Sequence, residues 1–556
     1  MYFSSVWPLC NDIRSGRDMT YEPGSHARSV IIGDLKVPSA GTASQEAAQV
    51  AGEQVPMLIE LNVLYPGGLA AVRLAFYQLW DHYVDRAGAL PPDPNLSPAS
   101  PVLPAVPAGL ALVAPKLYQC VLSRADAQEM VDEDRRSARE SGGTPVIFRI
   151  WPDYTLHPQI DRSAPTVKAN AAWRSYDARG QGIVWAVIDS GIDACHPHFS
   201  ALELAAEGRG EVPPQGLTSQ LHRDFSYLVN PADPVPPAAP GAPGGSPSGQ
   251  ALSDQSGHGT HVAGIIAGCS PDGSAPHVAE SKDPVDGGYV QRARVGRMSG
   301  MAPACELVSL RIMRLSRQGT WVTSSSAVIR ALTYLRTEVN VDPGVLRVHG
   351  VNMSLGCEWQ PDQYAAGQSP LCQAVNQLVA AGVVVVVSAG NYGANTTLGD
   401  SANTSAILGS ITEPAHAQDC IAVGSTHREA PHAFGITWTS GKGPTLDGRM
   451  KPDVVAPGEW IASAATGQVR AAAGLNPPAG ATDPASLLTY AEQSGTSMAA
   501  PHVCGVIAAF LSARPEFIGR PQQVKTMLMQ SATDLGREPF AQGAGLIDLM
   551  RMLANV

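Results

Sequence analysis

GIVWAVIDSG, residues 182–191, decides the reading of the fold. Its apolar run has no polar face and is rich in β-branched residues, so it predicts a strand buried on both sides. Asp189 ends the run and a Ser-Gly turn follows it. On either side, strand and helix patterns alternate. The helix KANAAWRSYD (168–177) precedes the run. HVAGIIAGC (261–269) predicts a helix, ELVSLRIM (306–313) a strand and SSSAVIRALTYLRTEV (324–339) a helix. VLRVHGVNMSLG (345–356) ends in a strand, and SPLCQAVNQLVAAG (369–382) is a helix. VVVVVSAGN (383–391) and DCIAVGST (419–426) are strands, and SMAAPHVCGVIAAFLSARP (497–515) and VKTMLMQSA (524–532) are helices. Buried strands alternating with amphipathic helices predict an α/β domain: a mostly parallel central sheet with helices on both faces.

The N-terminal part follows another pattern. VPMLIELNVLY (55–65) reads as a strand, 70–84 as a helix, LALVAP and YQCVLS as short strands, 124–140 as a helix capped by Ser123, and 143–151 as a strand. The order β-α-β-β-α-β predicts a small α+β, ferredoxin-like domain over 54–152. Residues 1–53 form a leader without sustained periodicity, 153–167 a polar linker, and 168–556 the large domain. The Pro-rich 85–108 and the inserts 230–250, 270–300 and 461–487 are expected to be surface loops, the first two inserts carrying little chemistry and the third, shortly before Ser497, able to narrow a cleft with the others.

A chain of 556 residues with net charge −11 offers no basic surface for nucleic acid. No basic leader precedes an apolar core at the N-terminus, and VVVVV is too short to span a bilayer, so neither export nor a membrane partner is expected and the address predicted is cytoplasmic. Nine cysteines without a CxxC pair predict mostly buried thiols, with room for one bridge at most.

Three segments carry chemistry. Asp189 stands at the carboxyl end of a parallel strand, where catalytic groups gather, although an aspartate there also caps turns. In SDQSGHGTHVAG (253–264), His258 lies between Gly257 and Gly259, which allow close approach of another chain. His258 and His261 have metal-like spacing but lack the glutamate and third ligand of a zinc site, so His261 reads as a packed histidine. CHPH (195–198) is equally unsupported, and no metal is assigned. In SGTSMAAPHVCG (494–505), Ser497 sits among small residues at a helix start, where free N–H groups favour developing negative charge. A serine becomes a strong nucleophile only with a base and an orienting group.

AVIDSGID, GHGTHVAG and GTSMAAP, in this order, resemble the three signature blocks of the subtilisin-like serine peptidases. The resemblance spans about 168–550, and GAGLIDLMRML (543–553) looks like the helix that ends such domains. It implies a serine endopeptidase with Asp189 as orienting carboxylate, His258 as general base and Ser497 as nucleophile. Asn391, in VSAGN, looks like the oxyanion-hole donor. Extended polypeptide substrates would pair with Ser354, Leu355 and Gly356 on one side and with Gly319, Thr320 and Trp321 on a facing strand. Ser388, Ala389 and Gly390 would border the primary pocket. Being small, they admit a large apolar residue there, with the floor depending on 392–412. The family's pro-domain implies that 54–152 is an intramolecular inhibitor, making the chain a zymogen with its maturation cut in the linker. No cofactor serves the chemistry; calcium supports many relatives, but no calcium loop is readable here. Cys357, directly after the substrate strand, is either sensitive to thiol reagents or a buried, inert thiol. Two alternatives remain: a catalytically silent peptide-binding relative, and a general esterase, which the absence of a GxSxG elbow disfavours.

Overall fold

In a computed structural model, the structure describes residues 30, 52–88, 106–114, 116–152, 163–209, 211, 216–218, 220–229, 250–281, 288–293, 296–342, 344–357, 365–395, 405–475 and 484–555. Most of the leader, the linker from 153 to 162, residues 89–105 and 231–249 lie outside this set. The chain divides into two units, Met1–Leu156 and His157–Val556.

The first unit contains β1 (Gln54–Leu61), a helix (Gly68–Trp80), β2 (Ala111–Ala114), β3 (Leu117–Ser123), a helix (Arg124–Glu140) and β4 (Ile147–Pro152). The sheet runs β2-β3-β1-β4 with every pairing antiparallel. Period-two alternation buries Met57, Ile59 and Leu61 of β1 and Tyr118, Cys120 and Leu122 of β3 in one core with Phe76, Trp80 and Met130 of the helices. Ser123 caps the second helix, accepting from the Asp126 N–H at 3.0 Å. β1 is shorter than its apolar run. Asn62 turns the chain, accepting from Leu64 N–H at 3.1 Å and donating to Pro145 O at 3.0 Å, and Leu64 is left 82% exposed.

The second unit is built on β5 (Val184–Asp189), β6 (Arg223–Asp224), β7 (His277–Ser281), β8 (Tyr289–Ala293), β9 (Glu306–Arg311), β10 (Arg314–Leu315), β11 (Trp321–Val322), β12 (Gly350–Met353), β13 (Val384–Ser388), β14 (Ala394–Asn395), β15 (Ser405–Ala406), β16 (Ile421–His427), β17 (Val454–Glu459), β18 (Ile461–Ala464) and β19 (Thr489–Gln493). Seven strands form one wholly parallel sheet, ordered β17-β16-β13-β12-β5-β9-β6. Alternate residues of β5 face opposite cores. Trp185 and Val187 pack with the Thr496–Ala513 helix, whereas Val184, Ala186 and Ile188 pack with the Ser325–Tyr334 and Pro370–Ala380 helices. The α/β architecture with a parallel central sheet follows from this two-sided burial. Thr496–Ala513 is apolar and long enough to cross a membrane by composition alone, but 83% of it is buried as a core helix.

Several boundaries move. The helix expected at 261–269 begins at His258 and ends at Ile266. The strand within 345–356 is Gly350–Met353 only. Of the closing GAGLIDLMRML only the part from Leu549 on is helical, in a helix Leu549–Ala554, because Leu546 bridges instead to Val455 and Thr533. β17 escapes sequence reading because Pro457 and Gly458 look like a turn. The largest correction concerns the 270–300 insert. It is not a plain surface loop: β7 pairs parallel to β19 and antiparallel to β8, giving a second sheet ordered β18-β19-β7-β8. Of RQGTWV only Trp321–Val322 is a strand, paired with Arg314–Leu315. Gly319, at φ 80°, and Thr320 belong to the five-residue loop Ser316–Thr320 of this hairpin, with Ser316 N–H donating to Thr320 O at 2.8 Å.

Candidate active site

Asp189 closes β5 and is fully buried. Its Oδ1 accepts from His258 Nδ1 at 2.8 Å and from Ser190 N–H at 2.7 Å, while Oδ2 has no hydrogen-bond partner. His258 opens its helix, with 26% of its side chain exposed. The glycines around it are required by close approach. A Cβ on Gly257, at φ 89°, would come 2.2 Å from Thr466 O, and one on Gly259 would come 2.2 Å from Gly191 O.

Asp254, which sequence reading passed over, anchors the helix mouth. Its Oδ1 accepts from Ser190 Oγ (2.9 Å) and Gly257 N–H (2.8 Å), and its Oδ2 from Thr260 N–H (2.9 Å) and Thr260 Oγ1 (2.7 Å). The N-cap position itself is Gly257, which has no side chain to accept, so Asp254 satisfies the free N–H groups from three residues further back, where the usual capping preference does not point. Ser190 is fully buried, and its hydroxyl is committed to Asp254 and to the Gly259 N–H. Burial works to lower the proton affinity of His258, but the charge and hydrogen bond of Asp189, with Asp254 behind, outweigh it and hold the pKa above the ordinary imidazole value.

Ser497 is the second residue of the Thr496–Ala513 helix. Its hydroxyl donates to Ser354 O at 3.3 Å, and Ser354 Oγ donates back to Ser497 O at 2.8 Å. The second bond has a local cause. The donor expected four residues on is Pro501, which has no N–H, so the Ser497 carbonyl instead accepts from the Ser354 hydroxyl just past the end of β12. Asn391 Oδ1 accepts from Thr496 N–H at 2.9 Å and Thr496 Oγ1 at 3.1 Å. A backbone N–H can only donate, which fixes the amide orientation and leaves Nδ2 as its donor end. His258, Asn391 and Ser497 line one cleft of about 470 Å³, together with Met498, Trp460, Glu492, Gln493, Ser494, Ser281 and Tyr289. Strand β5, the two helix starts and the end of β13 thus bring Asp189, His258, Ser497 and Asn391 together from four distant segments.

A family model described as the Subtilase family matches residues 180–545. The chain belongs to the subtilisin-like serine peptidase (subtilase) family. It is 28% identical over 368 residues to Pyrolysin of Pyrococcus furiosus, covering 59% of this chain and 23% of that protein. It is 30% identical to M-protease of Shouchella clausii, over 55% of this chain and 56% of that protein. To Subtilisin DY of Bacillus licheniformis it is 30% identical, over 54% of this chain and 80% of that protein. The match spans less than two thirds of the first two relatives' own length.

The remaining residues expected from the subtilase resemblance are distributed as follows. Ser354, Leu355 and Gly356 follow β12, and Ser388 donates to Leu355 O at 3.4 Å, tying them to the end of β13 with Ala389 and Gly390. Trp321 is held by its indole N–H on Gln468 Oε1 at 2.9 Å. His261 is fully buried, hydrogen-bonded to Ala491 O at 2.9 Å, with its pKa lowered by burial to about 3. The histidines of CHPH are also core residues: His196 meets Thr489 O at 3.0 Å and His198 meets Tyr490 Oη at 2.9 Å. Among the described residues, no cluster of three or more His, Cys, Asp or Glu side chains is placed to hold a metal ion. All eight described cysteines are free thiols, and Cys357 is exposed with its pKa raised by desolvation. Ser281 and Tyr289 reach the cleft from the inserted β7–β8 hairpin, which the sequence reading had set aside.

Proposed function

We propose that this subtilase is a serine endopeptidase acting on extended polypeptides. The observation that carries it is the 2.8 Å His258–Asp189 bond at a cleft that Ser497 and Asn391 also line. Asp189 accepts from Nδ1, so the Nε2 lone pair of His258 is left to take the Ser497 proton. Ser497 Oγ then attacks the peptide carbonyl, and Asn391 Nδ2 donates to the oxyanion beside the N–H groups of the helix start. The imidazolium, stabilised by buried Asp189, returns its proton to the leaving amine. The acyl-enzyme is hydrolysed by water through the same base. Pairing of the substrate backbone along Ser354, Leu355 and Gly356 accounts for an extended peptide rather than a small ester.

The first unit acts in this reading as a ferredoxin-like pro-domain. Its β-α-β-β-α-β order and wholly antiparallel sheet support that assignment. Intramolecular inhibition at high effective concentration would protect neighbouring proteins until the linker is cut.

A second reading, a silent peptide binder, draws on one observation: the Ser497 hydroxyl donates to Ser354 O rather than to His258. A hydroxyl rotates at little cost, and catalytic hydrogen bonds commonly tighten only with substrate present. One experiment separates the readings. The wild-type chain should react with a fluorophosphonate at Ser497, digest casein and lose its N-terminal unit by cleavage in the linker. Ser497→Ala should do none of these and accumulate at full length. Wild type that neither labels nor digests would establish the silent reading. Activity of Ser497→Ala above a tenth of wild type would reveal another nucleophile.

A further inference from the structure

The insert at 461–487 carries a short helix, Gly467–Ala472, that lies against the loop before His258. That loop satisfies the free N–H groups of the helix start. Gln468 N–H donates to Gln255 O at 2.9 Å and Val469 N–H to Ser256 O at 3.1 Å. The approach is backbone to backbone in both directions. A Cβ on Gly467, at φ 53°, would come 2.2 Å from Gln255 O, and one on Gly257 would come equally close to Thr466 O. With no side chain between the two segments, a shift of one is passed to the other. Thr466 Oγ1, donating to Asp193 Oδ2 at 2.7 Å, fixes the start of the helix. The side chain of Gln468 reaches elsewhere: its Oε1 accepts from Trp321 Nε1 at 2.9 Å. Gln468 thus holds the histidine loop with its main chain and the β10–β11 hairpin, expected to face the substrate, with its side chain. That hairpin is only two residue pairs long, with Leu315 and Val322 exposed, so few contacts set its position. Ser497 Oγ donates to Ser354 O rather than to His258, so the alignment of serine and histidine is left to be completed.

We propose that Gln468 is a positioning residue for His258, through which a peptide seated against Trp321 aligns the histidine with Ser497. The inference rests on the endopeptidase reading and names how that site reaches its reactive geometry. A bound peptide immobilises the β10–β11 hairpin. Trp321 passes this to Gln468, and the helix start passes it to Gln255 and Ser256. Asp189 holds the His258 ring at Nδ1, so movement of the loop is felt at Nε2, the atom that takes the Ser497 proton. Misplacement there is costly because the proton transfer needs near-contact geometry. Contacts with Trp321 therefore act in the transition state and raise kcat, whereas a plain binding wall would lower KM alone.

The test uses the chain as expressed and two chromogenic peptides that share a leaving group and the residue before it. One is about two residues long and the other about five, enough for an extended chain to reach the hairpin. Fluorophosphonate labelling of Ser497 comes first. Failure of wild type to label would remove the endopeptidase reading, and this inference with it, before any peptide is compared. Wild type should cleave the longer peptide with a kcat at least about fivefold above that for the shorter, the worth of one ordinary hydrogen bond. Gln468→Ala should bring the two kcat values to within about twofold of each other. Gln468→Glu, which keeps an oxygen for the indole N–H, should retain the wild-type ratio. Trp321→Phe keeps a ring and loses the donor, so it should match Gln468→Ala, and it guards against a Gln468 variant that merely disturbs the helix. The double variant should lose no more than either single one. Equal kcat for the two peptides in wild type, or an unchanged ratio in Gln468→Ala, would overturn the proposal. So would a loss confined to KM, a Gln468→Glu enzyme no better than Gln468→Ala, or losses that add in the double variant.

Discussion

Replacing Asp189 by asparagine isolates what its charge does, because of how its two oxygens are used. Both contacts, from His258 Nδ1 and Ser190 N–H, fall on Oδ1, while Oδ2 has none. The Ser190 N–H demands an oxygen at that place, so the amide of Asp189→Asn should present its carbonyl there and put its NH₂ where Oδ2 was. The histidine tautomer is then retained and only the charge is lost. Two unit charges 2.8 Å apart interact by about 6 kcal/mol at an effective dielectric constant of 20. With 26% of the His258 side chain exposed, solvent screening reduces this to roughly 3–4 kcal/mol, or about 10²–10³ in turnover. A flipped tautomer would instead cost about 10⁴. The pH profile carries the sharper signature. His258 must be neutral to act as base, and in wild type Asp189 raises its pKa above the ordinary value, so activity should fall below a limb lying above about pH 6.5. In Asp189→Asn the lowering effect of burial is left with little opposition, and the limb should move below about pH 6.5. The assay is kcat/KM on a chromogenic peptide substrate, from acid to mildly alkaline pH. A limb that does not move would refute the claim that Asp189 sets the proton affinity of His258. A loss of 10⁵ or more in a folded variant would refute the pinned carbonyl.

Asn391→Ala should cost about 2.7–4 kcal/mol of transition-state stabilisation, a magnitude known from subtilisin, a relative, with binding of a substrate-like peptide to Ser497→Ala unchanged by the added substitution. Unchanged turnover would reduce Asn391 to a turn residue. Stability should fall steeply in acid. Burial depresses the pKa of His196, His416 and His502 to about 4 and of His198 and His261 to about 3, so each stays neutral in the folded protein and takes up a proton on unfolding below about pH 6.5. Their contribution is present above the unfolded pKa and lost as pH falls toward the folded values. Glu306, raised to about 7 by burial, works in the opposite sense between its unfolded and folded pKa. The balance of these groups near pH 5 is about four protons taken up on unfolding, or about 5 kcal/mol per pH unit, measurable from the pH dependence of chemical unfolding. A flat profile between pH 4 and 6 would contradict the burial of these rings.

The alternation of apolar runs with amphipathic segments was enough to read a parallel sheet covered on both faces. A strand buried on both sides has to be apolar throughout, and a helix on such a sheet has to be apolar on one stripe only; both constraints are local and survive in one dimension. Asp189, His258, Asn391 and Ser497 were legible for a related reason. Each sits at the end of a strand or the start of a helix, where glycines and small residues mark the turn that the chemistry needs. What the tertiary structure alone decided lies between segments. No local pattern says that Asp254 satisfies the helix mouth and Ser190 at once, since that depends on where β5 ends relative to a loop 64 residues on. The β7–β8 hairpin read as a loop because its strands gain their stability from pairing with β19, some two hundred residues away. The small residues at 388–390 read as room for a substrate side chain, and nothing in the sequence placed Thr412, some twenty residues on, against the backbone of both Gly356 and Gly390. A sequence records the volume of each side chain, but the space between two walls is set by chain closure, and whichever residue that closure brings there takes it.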